Sequence, residues 1–158
     1  MNFEEPKPLN DVAEFHDTYD LPVLDEPQLI PKERAQLRIN LLTEELKELK
    51  EAIANDDLVE IADALCDLQY VLSGAILEFG MGKKFRALFD EVHRSNMSKT
   101  CATPEEANET IEFYARTKGE EGEWTEKNGK FIVYRKSDRK VLKSVRYSEA
   151  DLKSRLTQ

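Results

Sequence analysis

Apolar residues at helical spacing fill two consecutive stretches of the chain, interrupted once at Asn55, Asp56 and Asp57. In the first stretch Leu37, Leu41, Leu42, Leu46, Leu49 and Ile53 form a broad stripe that calls for burial against another helix. In the second, Leu58, Ile61, Ala62, Leu65, Leu68, Val71 and Leu72 continue the pattern to Phe79. Asp57 is placed to cap the second helix. Two long amphipathic helices joined by so short a break predict an antiparallel helical bundle, and a fold organised by a central parallel sheet would contradict that expectation.

Other elements follow from local signals. Residues 1–10, with Pro6 and Pro8, read as an adaptable arm; VAEFHDTYD begins a short helix, and Pro22, Pro27 and Pro31 restrict the connection to the first long one. KKFRALFDEVHRSN predicts a third bundle helix buried through Phe85, Leu88, Phe89 and Val92. Thr103, Pro104 and Glu106 supply a helix start, and Gly119 a stop, for TPEEANETIEFYARTKG. NGKFIVYRK predicts a turn followed by a strand, with KVLKSVRY as its partner, and Ser148 is placed to cap a terminal helix through Leu156. The fold class is therefore mainly α: a bundle of helices at 32–55, 58–79 and 83–96, with a 104–118 helix, a small C-terminal β-hairpin and a short helix outside it. At 158 residues the chain reads as a single domain, 1–158. Within it we expect a core over about 12–99, an inserted helix at 104–118 and an appendage at 123–158.

A formal charge of -9, from 32 acidic and 23 basic side chains, opposes binding to extended nucleic acid or an anionic membrane. The last forty residues run the other way, at +3 from ten Lys or Arg and seven Asp or Glu, which leaves -12 for residues 1–118. Cys66 and Cys101 are too few for a disulfide framework and lack zinc-site spacing. With no signal-like or membrane-length apolar segment, the expectation is a soluble, cytoplasmic protein. Its helical apolar faces also predict a homo-oligomer, a dimer first and a tetramer as the alternative.

The charge is concentrated where it can do chemistry. Glu44, Glu45 and Glu48 lie in TEELKELKE, and Glu60, Asp63 and Asp67 in DLVEIADALCDLQYV. Helical periodicity puts Glu45 and Glu48 on one face and Glu60, Asp63 and Asp67 on another. The second set interrupts an apolar run, where unpaired charge is costly unless a cation offsets it. Oxygen-only ligands suit Mg2+ or Mn2+, and Mg2+ links such a site to phosphate chemistry. The alternative for the first set is a solvated face paired with Lys47 or Lys50. In EVHRSNMSK, Asn96 offers a hydrogen-bonding group for a phosphate or ribose oxygen and Lys99 a charge for phosphate. Arg94 is a further phosphate candidate, with an ion pair to an acidic helix as its alternative.

Taken together, EELKE, EIAD and EVHRSNMSK resemble the MazG-like, all-alpha nucleoside triphosphate pyrophosphohydrolase superfamily, which includes phosphoribosyl-ATP pyrophosphohydrolase-like proteins. The resemblance runs from about Val12 through Lys99, and more weakly over NGKFIVYRKSDRKVLKSVRY. It implies Glu45, Glu48, Glu60 and Asp63 as Mg2+ ligands and Glu44 as the residue that orients or deprotonates water. It also implies Asn96 and Lys99 as substrate contacts. On their own positions, Asp67 is placed to tune the metal or touch substrate, with an ordinary solvated position as its alternative, and His16 to hydrogen-bond a substrate or a second subunit, with a satisfied structural histidine as its alternative. The implied reaction converts a nucleoside triphosphate, a pyrimidine deoxynucleotide such as dUTP or dCTP, to its monophosphate and pyrophosphate. Phosphoribosyl-ATP or another unusual nucleotide is the alternative substrate, and a nonenzymatic nucleotide-binding or assembly protein the alternative class. A di-iron oxidoreductase is disfavoured because no Glu-x-x-His spacing is present. Thr100–Glu123 departs from the shorter connection of related proteins.

Overall fold

The computed structural model describes residues 2–157 and divides the chain into two compact units, 1–85 and 86–158. The first holds three helices: α1 (Pro8–Thr18), α2 (Lys32–Ala54) and α3 (Leu58–Glu78). The second holds α4 (Phe85–Met97, beginning at the boundary), α5 (Pro104–Lys118), β1 (Gly122–Lys127), β2 (Lys130–Arg135) and α6 (Leu152–Thr157). The protein is mainly helical, with a small antiparallel hairpin and a short helix at its C-terminal end.

α2 and α3 form the expected hairpin. Asn55 closes α2, Asp56 turns the chain at φ 54°, and the Asp57 carboxylate accepts from Val59 N at 3.0 Å and Glu60 N at 3.1 Å to open α3. The two helices run past each other one residue for one. Arg34 pairs with Glu78, Arg38 lies over Gly74, and nearer the tip Glu48 shares a cleft with Asp63 and Ala64. Only one side of each helix is covered: Leu41, Leu42 and Leu49 are half-buried, whereas Leu37, Leu46 and Ile53 are exposed. The stripe read from the sequence is therefore wider than the hairpin within this unit can bury.

α1 packs on α3 through Val12 and His16, one turn apart and both buried. It starts earlier than expected, because Pro8 occupies the first turn, where a missing N–H costs nothing. The proline-rich connection then runs along the end of α3, with Leu24 N donating to Leu77 O at 3.1 Å and Gln28 N to Phe79 O at 3.1 Å. Those bonds satisfy carbonyls that a helix end leaves open. Gly80, at φ 69°, makes this approach feasible, since a Cβ there would fall 1.9 Å from Glu26 O.

In the second unit, Thr103 caps α5 by accepting from Glu106 N at 3.2 Å, with Pro104 in the first turn and Gly119 closing the helix at φ 64°. α5 covers the hairpin over a core of Cys101, Ala107, Tyr114, Val133 and Leu142. The strand partner differs from the expectation. β2 pairs with the upstream segment Gly122–Lys127, not with Lys140–Tyr147, because Asn128 and Gly129 at φ 53° and 71° form a tight two-residue turn that joins the nearer run first. The downstream segment contributes a single bridge, Val141 to Tyr134, and then turns away. α6 likewise is opened by Asp151, whose carboxylate accepts from Ser154 N at 3.1 Å, and not by Ser148. Ser148 instead shares hydrogen bonds with Ser98.

Candidate metal and phosphate sites

The α2–α3 hairpin carries six carboxylates toward its tip. Glu44, Glu45 and Glu48 lie on α2 and Glu60, Asp63 and Asp67 on α3. Between the helices opens a cleft of about 420 Å³, floored by the small buried side chains of Ala52 and Ala64 and walled by Glu48, Glu51, Asp57, Glu60 and Asp63. Glu45 and Asp67 sit half-buried, one helical step further in. Burial raises the Glu45 carboxyl above its ordinary range, and repulsion from Asp67, Glu48, Glu44 and Asp63 raises it further. Asp67 and Asp63 on the opposite helix are thus close enough to Glu45 to act on its charge.

Among the described residues, no ion pair joins any of the six to a Lys or Arg. Lys47 pairs with Glu51 at 3.5 Å instead. Nor, among the described residues, do three Asp, Glu, His or Cys side chains converge closely enough to hold a metal ion. The donor chemistry nevertheless suits a hard divalent cation: oxygen-only side chains, mutually repelling, on two facing helices.

At the other end of the same hairpin the charges are paired. Glu78, 1% exposed, accepts from Arg34 and, at 2.6 Å, from Arg38. Burial opposes its ionisation, but those hydrogen bonds and the guanidinium charges outweigh it and hold the carboxyl below its ordinary range. His16 joins this cluster. It is 2% exposed, its Nδ1 donates to Pro22 O at 2.8 Å, and its Nε2 accepts from Arg38 Nη2 at 3.2 Å. Both ring nitrogens are thereby engaged within the protein. Gly74 leaves the room, since a Cβ there would lie 2.6 Å from Arg38 Nη1. The cluster was not anticipated from the sequence, although a lone Glu78 in VLSGAILEFG and Arg34 and Arg38 one turn apart were its signals.

In the second unit, Asn96 and Lys99 meet at the C-terminal end of α4, where Lys99 Nζ donates to Asn96 Oδ1 at 2.6 Å. Arg94 is otherwise occupied, gripping Glu91 through Nε at 3.0 Å and Nη2 at 2.8 Å and donating to Glu149 O at 2.9 Å. Phe15 contacts both Tyr19 and Tyr70, with ring centroids 4.4 Å and 5.6 Å away. Trp124 packs edge-on against Phe131 beside the second core. Among the described residues no helix is long and apolar enough to cross a membrane.

An uncharacterized protein of Acanthamoeba polyphaga mimivirus is 42% identical over 62 residues, covering 36% of this chain and 25% of that protein, so the chain spans about a quarter of the relative it matches. The pattern of the phosphoribosyl-ATP pyrophosphohydrolase family matches residues 12–96, more than half of the 158, and takes in α2, α3, all six carboxylates and Asn96. The chain belongs to the phosphoribosyl-ATP pyrophosphohydrolase, or MazG-like, family.

Proposed function

We propose that this protein hydrolyses a nucleoside triphosphate to its monophosphate and pyrophosphate with the help of Mg2+, Mn2+ being a substitute. The observation that carries the reading is the set of carboxylates on α2 and α3, without cationic partners among the described residues and repelling one another through Glu45. Glu45, Glu48, Glu60 and Asp63 would hold the metal, which when bound would supply charge stabilisation for phosphate oxygens. Glu44, exposed at the edge of the set, would orient a water and take its proton as the water oxygen bonds to the α-phosphorus. The bond from that phosphorus to the bridging oxygen breaks, and pyrophosphate leaves. Asp67 would hold its neighbours in place, and Asn96 and Lys99 would bind phosphate oxygens. His16 would act from within the buried cluster by fixing α1 on α3.

A pyrimidine deoxynucleotide, dUTP or dCTP, is the proposed substrate. Phosphoribosyl-ATP is the second reading, favoured by the name of the matching family. We further propose a homodimer in a reducing cytoplasmic setting, consistent with the free thiols of Cys66 and Cys101. The test is a nucleotide panel with Mg2+ or Mn2+ in which every product is identified by chromatography. Monophosphate with pyrophosphate is expected; orthophosphate with diphosphate, or no turnover at all, would refute the reading.

A further inference from the structure

The face of α4 that does not carry Asn96 is given over to the C-terminal segment. Glu91, Arg94 and Ser95 on α4, with Ser98 in the turn just past its end, follow the i, i+3, i+4, i+7 spacing of one helical face. Each holds part of residues 147–155. Glu91 accepts from Asp151 N at 2.9 Å and lies 3.8 Å from Arg155; Arg94 donates to Glu149 O at 2.9 Å. The Ser95 hydroxyl is 2.9 Å from the Tyr147 hydroxyl, and Ser98 Oγ accepts from Ser148 N at 3.0 Å. Just beyond the helix, Ser144 N donates to Lys99 O at 3.1 Å. Ser144 is anchored in turn, since its hydroxyl donates to the buried Glu106 carboxylate.

This arrangement falls where a helix is least self-supporting, because the last turn leaves carbonyls without intrahelical partners. Glu91 is 6% exposed yet fully paired. The Arg94 hydrogen bonds, the Asp151 N–H and the charges of Arg94 and Arg155 draw its carboxyl down to about 2 despite its burial. A buried, ionised carboxylate with two directed partners fixes direction as well as distance.

We propose that residues 144–155 form a strap that, through Glu91 and Arg94, sets Asn96 and Lys99 in place to receive the polyphosphate of the substrate. Glu91 and Arg94 are then positioning residues, and Arg94 serves the phosphate site without touching it. The inference rests on the phosphate-binding role proposed above for Asn96 and Lys99.

The full-length Glu91→Gln variant tests it with two readouts. Hydrogen exchange followed by mass spectrometry should show residues 95–101 opening about tenfold faster, the scale of one lost charge-assisted hydrogen bond, while α2 and α3 keep their protection. Steady-state kinetics on whichever triphosphate the starting protein hydrolyses should show KM raised about tenfold with kcat changed less than about twofold. Unchanged exchange at 95–101 overturns the strap. Faster exchange with an unmoved KM, or a fall in kcat at constant KM, overturns the positioning role. If Glu91→Gln does not fold, Tyr147→Phe, which removes one hydroxyl, should give the same pattern at about threefold and is judged by the same outcomes. A starting protein that hydrolyses no nucleotide refutes the proposed function instead, and the exchange measurement still decides the strap.

Discussion

Two carboxylates in this chain are perturbed in opposite directions. Glu45 is raised by burial and by like charges, whereas Glu91 is lowered to about 2 by Arg94, the Asp151 N–H and Arg155. For Glu91 the folded value lies below the unfolded one, so the unfolded chain binds the proton more readily as pH falls. Its contribution is fully present above the ordinary glutamate range and is lost as pH drops toward about 2. Thermal melts over that acid window should fall less steeply for Glu91→Gln than for the starting protein; parallel curves would contradict the assignment. Asp63 gives the sharper functional prediction. Asp63→Asn keeps the shape and removes one charge from the set that repels Glu45. Turnover should drop at least about a hundredfold, a scale typical of lost transition-state electrostatics, and calorimetric titration should show weaker Mg2+ binding in a variant that still folds. Unchanged Mg2+ affinity and pyrophosphate production would remove Asp63 from the metal set.

At the scale of elements, the helices were legible because their signals are local. Asp57, the Thr103, Pro104 and Glu106 trio, and Gly119 each act within a turn of themselves. The strand partner of β2 was not legible, because two segments of similar character flank it and only the closure of Asn128 and Gly129 decides between them. The cluster of Arg34, Arg38, Glu78 and His16 escaped for the same reason, since its members come from three helices. Glycines test the difference between local and nonlocal demands. Gly80 and Gly119 have nearly the same positive φ, yet a Cβ at Gly119 meets nothing within 4 Å while one at Gly80 meets Glu26 O at 1.9 Å. Gly119→Ala should cost about 1 kcal/mol, the conformational term alone. Gly80→Ala should cost clearly more, because the proline-rich connection must also withdraw from the end of α3. Urea unfolding of the two variants checks the order, and equal losses would show that the connection yields freely.

At the scale of the whole molecule, the exposed apolar residues of α2 and α3 set the prediction. Ile39, Leu46 and Ile53 recur every seven residues along α2, and Leu58, Leu65 and Leu72 do the same along α3. All six are exposed, with Leu58 at 76%. Seven-residue apolar spacing is a seam for helix packing, and strips of this kind normally find a partner. Light scattering is expected to give a dimer for the starting protein and to shift toward monomer for Leu65→Glu with helicity retained. A starting protein that stays monomeric across a broad concentration range would defeat the assignment.

The one-for-one passage of α2 along α3 also bears on how such a hairpin can change in length. A single residue inserted in either helix between the two ends would rotate everything beyond it by about 100°, so that only one end of the hairpin could keep its register. Either Arg34 would swing off Glu78 or Glu48 would lose its place in the cleft with Asp63, so the ionic cluster and the acidic cleft act like two marks on one vernier. Insertions and deletions are therefore tolerable only at the tip, over Asn55, Asp56 and Asp57, where they leave both marks aligned.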